Sequence, residues 1–514
     1  MWSGRRRWPL VSAAGGAIAA ALVLLPLIFL LDEAQKSGWS EVRRLLLRHS
    51  VAVLLWNTVR LTLACTILCA LLGVAAAWCV ERTTLPARRL WAVALVLPLG
   101  VPDFVVAFGW VSIDPALHGY LAAVMIMTLS LYPLVYLPVA SSLANLDGGL
   151  EEAARSLGLG PWQAFWRVTL RQIAPAVLGG CLLVTLALLA EYGAFEIVQY
   201  QTFTVAIYTE FKLGFDTVAA CVLSLVLVVL GIAALAGEHS LGGRGRSSRS
   251  GPGARRIAPR VGLGRLMIPA VAGLGALSAL ALGVPLGSLV YWMARGSSTT
   301  LPSASILSAT GHTAAYSAAA AVLSTTLAVP LSALATRHRN RVTVLLERLA
   351  YLPMALPGLV IALGLVSFSV RYAFSLYQSA FELIVAYAIV FLPLALVGVR
   401  SAMGQSPPRL EEVGRSLGAR PVTVWRRVTL PLIAPGLGAA FALVFISSAT
   451  ELTATLLLRP TGVNTLATQF WAYTSEFSYG AAAPYAALMV AISAVPAYLL
   501  SRRMSTLTRT EERP

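Results

Sequence analysis

The segment from Leu10 to Leu31 carries no charged residue, and eleven further apolar segments follow it along the chain. A helix needs about 20 apolar residues to cross a hydrocarbon core of about 30 Å. Inside lipid every backbone donor and acceptor must be paired within the protein, so a chain written this way folds as a bundle of membrane-crossing helices. The segments fall near 10–31, 52–80, 89–112, 119–145, 173–200 and 217–237, then near 264–292, 311–336, 345–370, 378–403, 433–458 and 482–501. Composition agrees: 58% of the 514 residues are hydrophobic and 12% charged, with a mean hydropathy of +0.77. Soluble domains carry about 25% charge. The expected fold is an all-α polytopic membrane protein of about twelve transmembrane helices.

The net charge is +17, and lysine occurs only at Lys36 and Lys212. So basic a chain could bind nucleic acid, but the arginines punctuate apolar runs, and the expected contact is membrane lipid, with no nucleic acid. With the N-terminus inside and spans alternating, 30 Lys and Arg fall on the inner side and 8 on the outer. The positive-inside rule therefore predicts two cytoplasmic termini. Arg5, Arg6 and Arg7 precede a first run too long for a signal-peptide core and with no small-residue cleavage site after it, so it reads as a retained span. The five cysteines lie within apolar runs and read as packing residues.

The chain repeats itself. "EEAARSLGLGPWQAFWRVTLRQIAP" starts at Glu151 and "EEVGRSLGARPVTVWRRVTLPLIAP" at Glu411, an offset of 260 that also relates Pro133 to Pro393 and Glu191 to Glu451. Upstream the offset is 255, pairing Pro98 with Pro353, Pro102 with Pro357 and Gly109 with Gly364. Each half begins and ends on the same side, which predicts two parallel six-helix repeats. The expected organisation is a first half over 1–237 and a Gly/Ser/Arg-rich cytoplasmic linker over 238–263. A second half covers 264–503, and a short tail 504–514. The two polar segments span about 147–172 and 405–432.

Each polar segment has a physical reading. Glu151 and Glu152, like Glu411 and Glu412, match the positive end of a short helix. Gly158 or Gly418 permits a break, and Pro161 or Pro421 fits the first turn of a second helix. That helix presents Phe165 beside Arg167, or Trp425 beside Arg427, before a span beginning near Ile173 or Ile433. The result is a knob on the cytoplasmic face. An amphipathic connector lying on headgroups fits one such copy; two copies at matching places point to docking.

These residues resemble the EAA loop of binding-protein-dependent ABC importer permeases. The first copy reads Glu152-Ala153-Ala154 followed by Gly158; the second reads Glu412-Val413-Gly414 followed by Gly418, and Arg171 stands where Pro431 does. The resemblance covers nearly the whole chain. It implies a type I ABC importer permease fold, with both loops gripping ATPase subunits. No G-x-x-x-x-G-K-[ST] phosphate loop occurs, so the chain is expected to be non-catalytic and to bind no cofactor, with ATP and Mg used by two copies of a separate cytoplasmic ATPase. A periplasmic or lipoprotein solute-binding protein would deliver cargo at the bacterial inner membrane. The fused layout resembles the ferric-iron permeases; thiamine permeases share it, and polyamine (putrescine), phosphonate and sulfate permeases are more distant.

Asp103, Glu191, Glu196 and Glu451 are ionisable groups in or near spans. Such groups mark transport paths, and carboxylates suit a hard cation, which puts a transported ion near Glu191 and Glu451. Equally, each glutamate fits as the cap of a broken helix. Pro98, Pro102, Pro353 and Pro357 break the third and ninth spans, either lining a path or kinking for packing. Two other classes stand against the importer: an ion-coupled secondary transporter, which has no need of twin loops, and a membrane enzyme, for which no catalytic constellation is present.

Overall fold

The computed structural model describes residues 4–146, 148–242, 260–296, 304–337 and 340–493. Among them the chain is helical, apart from loops and one isolated parallel bridge between Thr83 and Val261. Among the described residues nine helices are long and apolar enough to cross a membrane, or eleven if two sharply bent pairs each count as one span. All twelve expected segments have helical counterparts among the described residues; of the last, 482–501, these include the helix Tyr479–Ser493, and 494–501 lie outside them. The helix Thr217–Gly242 runs slightly into the expected linker, of which 243–259 lie outside the described residues, as does the tail 504–514.

The prolines explain the bends. Arg88–Gly100 meets Asp103–Val111 at 92°, and Arg341–Ala355 meets Gly358–Tyr372 at 107°. In each pair the residue before the second proline, Val101 or Leu356, is extended, as steric conflict with the proline ring demands. Pro102 and Pro357 then cap the next helix with φ near −57° and −56°. The fifth and eleventh segments end sooner than expected. Their helices stop at Ala190 and Ala449, and short helices Gly193–Ile197 and Thr453–Leu458 follow.

The helices form two compact units that cut across the sequence halves. One comprises His49–Ala206 and Val229–Arg295; the other draws on Met1–Arg48, Ile207–Val228 and Gly296–Pro514. In the first unit, His49–Arg82 packs against Pro133–Ala144 and Leu170–Ala190, and Val284–Arg295 lies on Asp103–Val111. In the second, Ala304–Arg337, Ala380–Gly404 and Leu430–Ala449 pack together, and Gly4–Lys36 lies on Gly358–Tyr372. Each unit therefore combines the bent helix of one half with the opening helix of the other.

Two repeat-related glycines make that exchange possible. A methyl group on Gly109 would sit 2.7 Å from the Cα of Pro285, and one on Gly364 would sit 2.7 Å from the Cα of Pro26. Real Cβ atoms do not approach so closely, so both positions require glycine for close backbone crossing.

Candidate coupling site

Both polar segments fold as knobs of the same construction. The first has the helix Gly149–Ser156, the second Pro408–Ser416. Gly158 and Gly418 follow with φ of +88° and +83°. The N–H of Gly158 donates to the Arg155 carbonyl at 3.0 Å and that of Leu159 to the Ala154 carbonyl at 3.2 Å; Gly418 and Ala419 repeat these bonds to Arg415 and Gly414 at 3.0 and 3.1 Å. This double closure is a Schellman motif, and its left-handed residue is the reason for glycine. Neither glycine has another atom within 4 Å of where a Cβ would stand, so conformation and not space fixes the residue.

Pro161 and Pro421 begin the next helix, as expected. That helix does not stop before the span. It continues through a π-helical turn, Phe165–Thr169 or Trp425–Thr429, and on into Leu170–Ala190 or Leu430–Ala449. The expected separate span starting near Ile173 or Ile433 is corrected accordingly: the knob's second limb is the first turns of the span. A π turn widens the helix by one residue per turn and is common at functional sites. Phe165 is partly buried and meets Trp78 edge-on, with ring centroids 6.3 Å apart; Trp425 is partly buried at the matching place.

The first glutamate of each knob turns inward. Glu151 is ion-paired with Arg82 and lies 3.5 Å from Arg155, and Thr169 Oγ1 donates to it at 3.5 Å. Glu411 takes Arg337 at 3.0 Å, Arg415 at 3.3 Å and Thr429 Oγ1 at 3.2 Å. Arg337 also donates to the Ser406 carbonyl at 2.8 Å. The Arg82–Glu151 side chains are 5% and 12% exposed, the Arg337–Glu411 side chains 17% and 16%. Each arginine ends the span before the bent pair, so this charged cluster ties knob to span. Charge-assisted bonds in such partly dry sites are stronger than surface pairs. Sequence reading missed Arg82 and Arg337 as partners. The available signal was their separation of 255 residues, the offset that already links Pro98 to Pro353.

The outward residues are distributed alike. Glu152, Glu412, Ala153, Arg167 and Arg427 are exposed. Leu157 and Leu417, at the tips, are 84% and 82% exposed. Each knob thus presents one exposed leucine at its tip, at repeat-matched positions. The departure from Ala154 to Gly414 is internal. Ala154 and its repeat partner's neighbour Val424 are buried, as is Ala164, and a methyl on Gly414 would stand 3.1 Å from Val424 Cγ2. Ala154 and Ala164 stand in the first knob where Gly414 and Val424 stand in the second, a smaller residue at one position going with a larger one at the other.

The carboxylates near the spans are engaged locally. Glu191 Oε1 accepts from the Ala194 N–H at 2.7 Å. Glu451 accepts from the Ala454 N–H at 3.0 Å, the Thr455 N–H at 3.2 Å and Thr455 Oγ1 at 3.0 Å. Each caps the short helix after its broken span, the structural role open from the sequence. Asp103 accepts from Ser130 Oγ, and Glu196 is exposed on the short helix. A methyl on Gly358, the partner of Asp103 in the repeat, would meet Glu451 Oε1 at 3.1 Å. Among the described residues no group of three or more His, Cys, Asp or Glu could hold a metal ion.

Comparison with known proteins accounts for the duplication. The family described as "Binding-protein-dependent transport system inner membrane component" matches residues 70–237 and 328–507, one knob in each. The chain is 39% identical over 484 residues to the Fe(3+)-transport system permease protein FbpB 2 of Haemophilus influenzae, covering 93% of this chain and 95% of the relative. It is 26% identical over 470 residues to the probable ABC transporter permease protein y4fN of Sinorhizobium fredii, covering 82% and 80%. The sulfate transport system permease protein CysW of Synechocystis is 29% identical over 238 residues, covering 42% of this chain and 85% of the relative. The chain is a multi-pass membrane protein belonging to the inner-membrane components of binding-protein-dependent transport systems, the ABC permeases, with the family's unit present twice in one polypeptide.

Proposed function

We propose that this chain is the complete transmembrane pathway of an ATP-driven importer whose cargo is ferric iron. The observation that carries the cargo is the end-to-end likeness to a fused Fe(3+) permease; the sulfate relative matches under half of this chain. Both knobs face the cytoplasm, as the arginine bias argues, and each receives one of two ATPase subunits. The chain is a non-catalytic subunit, with ATP and Mg handled by those partners and cargo delivered on the far side by a solute-binding protein.

ATP-driven closure of the motor pair moves the knobs. Because each knob's second limb is continuous with a span, and its first limb is tied through Glu151 or Glu411 to the end of another, displacement passes directly to four spans. Access to the path then alternates, and iron passes without chemical change. Glu191 and Glu451, with Asp103 and Glu196, supply carboxylates to the path for a hard cation.

The test is uptake of labelled ferric iron by vesicles holding this chain, its ATPase and its binding protein. Uptake that requires ATP and ignores competing sulfate and thiamine is expected. Uptake insensitive to ATP depletion would sink the importer; ATP-dependent uptake of a competitor alone would sink the iron assignment. Unchanged iron uptake by the Glu191→Gln, Glu451→Gln double variant would remove the carboxylates from the path.

A further inference from the structure

The halves stop matching just after the second short helix, Thr453–Leu458. Glu191 and Glu451 are 260 residues apart, but Phe203 and Leu466 are 263 apart. That second equivalence is structural. The N–H of Phe203 donates to Thr58 Oγ1 at 3.3 Å and that of Leu466 to Thr313 Oγ1 at 2.9 Å. The neighbouring carbonyls of Gln201 and Asn464 meet Asn57 Nδ2 and His312 Nδ1, each at 3.2 Å. The second half thus carries three extra residues between these landmarks, and the fold of the repeat does not need them.

The extra residues make a hydrogen-bonded turn. The Val463 N–H donates to the Pro460 carbonyl at 3.1 Å, and Gly462 has a φ of +79°, the conformation a type II turn requires at that place. Arg459 at its start donates to Asn464 Oδ1. With Lys212, Gln378 and Leu456, the turn lines a pocket of about 300 Å³. The helix Ala380–Gly404 runs from beside Gln378 to the second knob, so the pocket lies at the opposite end of this unit.

The lining residues are Lys212, Gln378, Leu456, Arg459, Pro460, Thr461, Gly462 and Asn464: two cations, several polar donors and no carboxylate. Glu382 comes close in the chain, but it is buried and its carboxylate accepts from the Gln378 N–H at 3.0 Å. Burial first, and the charge of Arg459 second, lower the Lys212 pKa below the usual lysine range. Two like charges sharing a half-dry concavity repel each other, and a bound anion reverses that repulsion. We propose that this pocket is a binding site for a small polyvalent oxyanion of the phosphate class, held by Lys212 and Arg459 with Thr461 and Gln378 as neutral partners. Three separate chain segments line one concavity, the arrangement for a compact, many-sided acceptor. The site stands independently of the iron assignment.

The experiment is equilibrium dialysis of labelled inorganic phosphate against the full chain in phosphatidylcholine nanodiscs. Saturable binding is expected, with sulfate competing and chloride not. Lys212→Gln and Arg459→Gln should each weaken it about tenfold, the double variant should abolish it, and Lys212→Arg should retain it. Arg295→Gln, in the other unit, should leave it unchanged. All variants should elute as the parent protein does. Absence of saturable binding at millimolar phosphate, or binding that survives in the double variant, overturns the site. So does displacement of phosphate by added phosphatidylglycerol, which would assign the two cations to a lipid headgroup.

Discussion

The first knob and the second share a skeleton and differ in their flesh. Both end their first helix with a left-handed glycine, both hold a partly buried glutamate between an arginine from a distant span and a threonine of the π turn, and both expose a leucine at the tip. They differ where geometry is indifferent: Ala153 against Val413 outside, Arg171 against Pro431 at the start of the span, and an Ala–Ala pair against a Gly–Val pair inside. Positions fixed by backbone conformation or by a buried charge are duplicated without change. Positions that only fill volume are exchanged in compensation, and surface positions drift.

The largest effect expected from breaking this likeness is at the arginines. Removing one partner of a buried ion pair strands the other charge, at about 3 kcal/mol or more when the pair is well buried. Arg82→Ala should therefore lower the apparent unfolding temperature of the solubilised chain more than Arg337→Ala, whose pair is more exposed and worth roughly 1–2 kcal/mol. Equal shifts would mean that burial does not distinguish the knobs.

Next come the glycines. Valine in a left-handed conformation costs about 1–2 kcal/mol, so Gly158→Val and Gly418→Val should each unmake one knob's turn while the membrane helices persist. Circular dichroism should change little, and recovery of the ATPase with the permease should fall for each variant.

A smaller effect separates the interiors. Gly414→Ala puts a methyl 3.1 Å from Val424 Cγ2 and should therefore forfeit the gain of about 1 kcal/mol that alanine otherwise brings inside a helix. Combined with Val424→Ala it rebuilds the first knob's interior, so the double variant should be more stable than the sum of the singles by about 1 kcal/mol. Strict additivity would deny the compensation.

The smallest effect on stability should come from the tips. Leu157→Ser and Leu417→Ser should change stability by less than about 0.5 kcal/mol yet weaken ATPase binding about tenfold, as loss of an apolar contact residue does.

Much of this was legible in the sequence because it is local. A run of apolar residues, a proline pair that breaks a span, and a glycine after a helical turn act within a few residues of themselves, and each appears where expected. What was not legible is long-range. Glu151 and Arg82 are 69 residues apart and Glu411 and Arg337 are 74 apart; only the repeat offset hints at either pairing. The exchange of opening helices depends on Gly109 and Gly364 meeting Pro285 and Pro26, and nothing local marks those glycines as crossing points. The spans that end at Ala190 and Ala449 are shorter than their apolar segments because apolarity continues past the break, while the bonds by which Glu191 and Glu451 cap the next short helices are a matter of geometry.

The most direct test of the central claim, that two equivalent knobs each hold one motor subunit, is native mass spectrometry of the solubilised complex of this chain with its ATPase. Two ATPase chains per permease chain are expected, one after either Gly158→Val or Gly418→Val, and none after both. A single ATPase chain on the unaltered permease, or two that survive the double substitution, would contradict it.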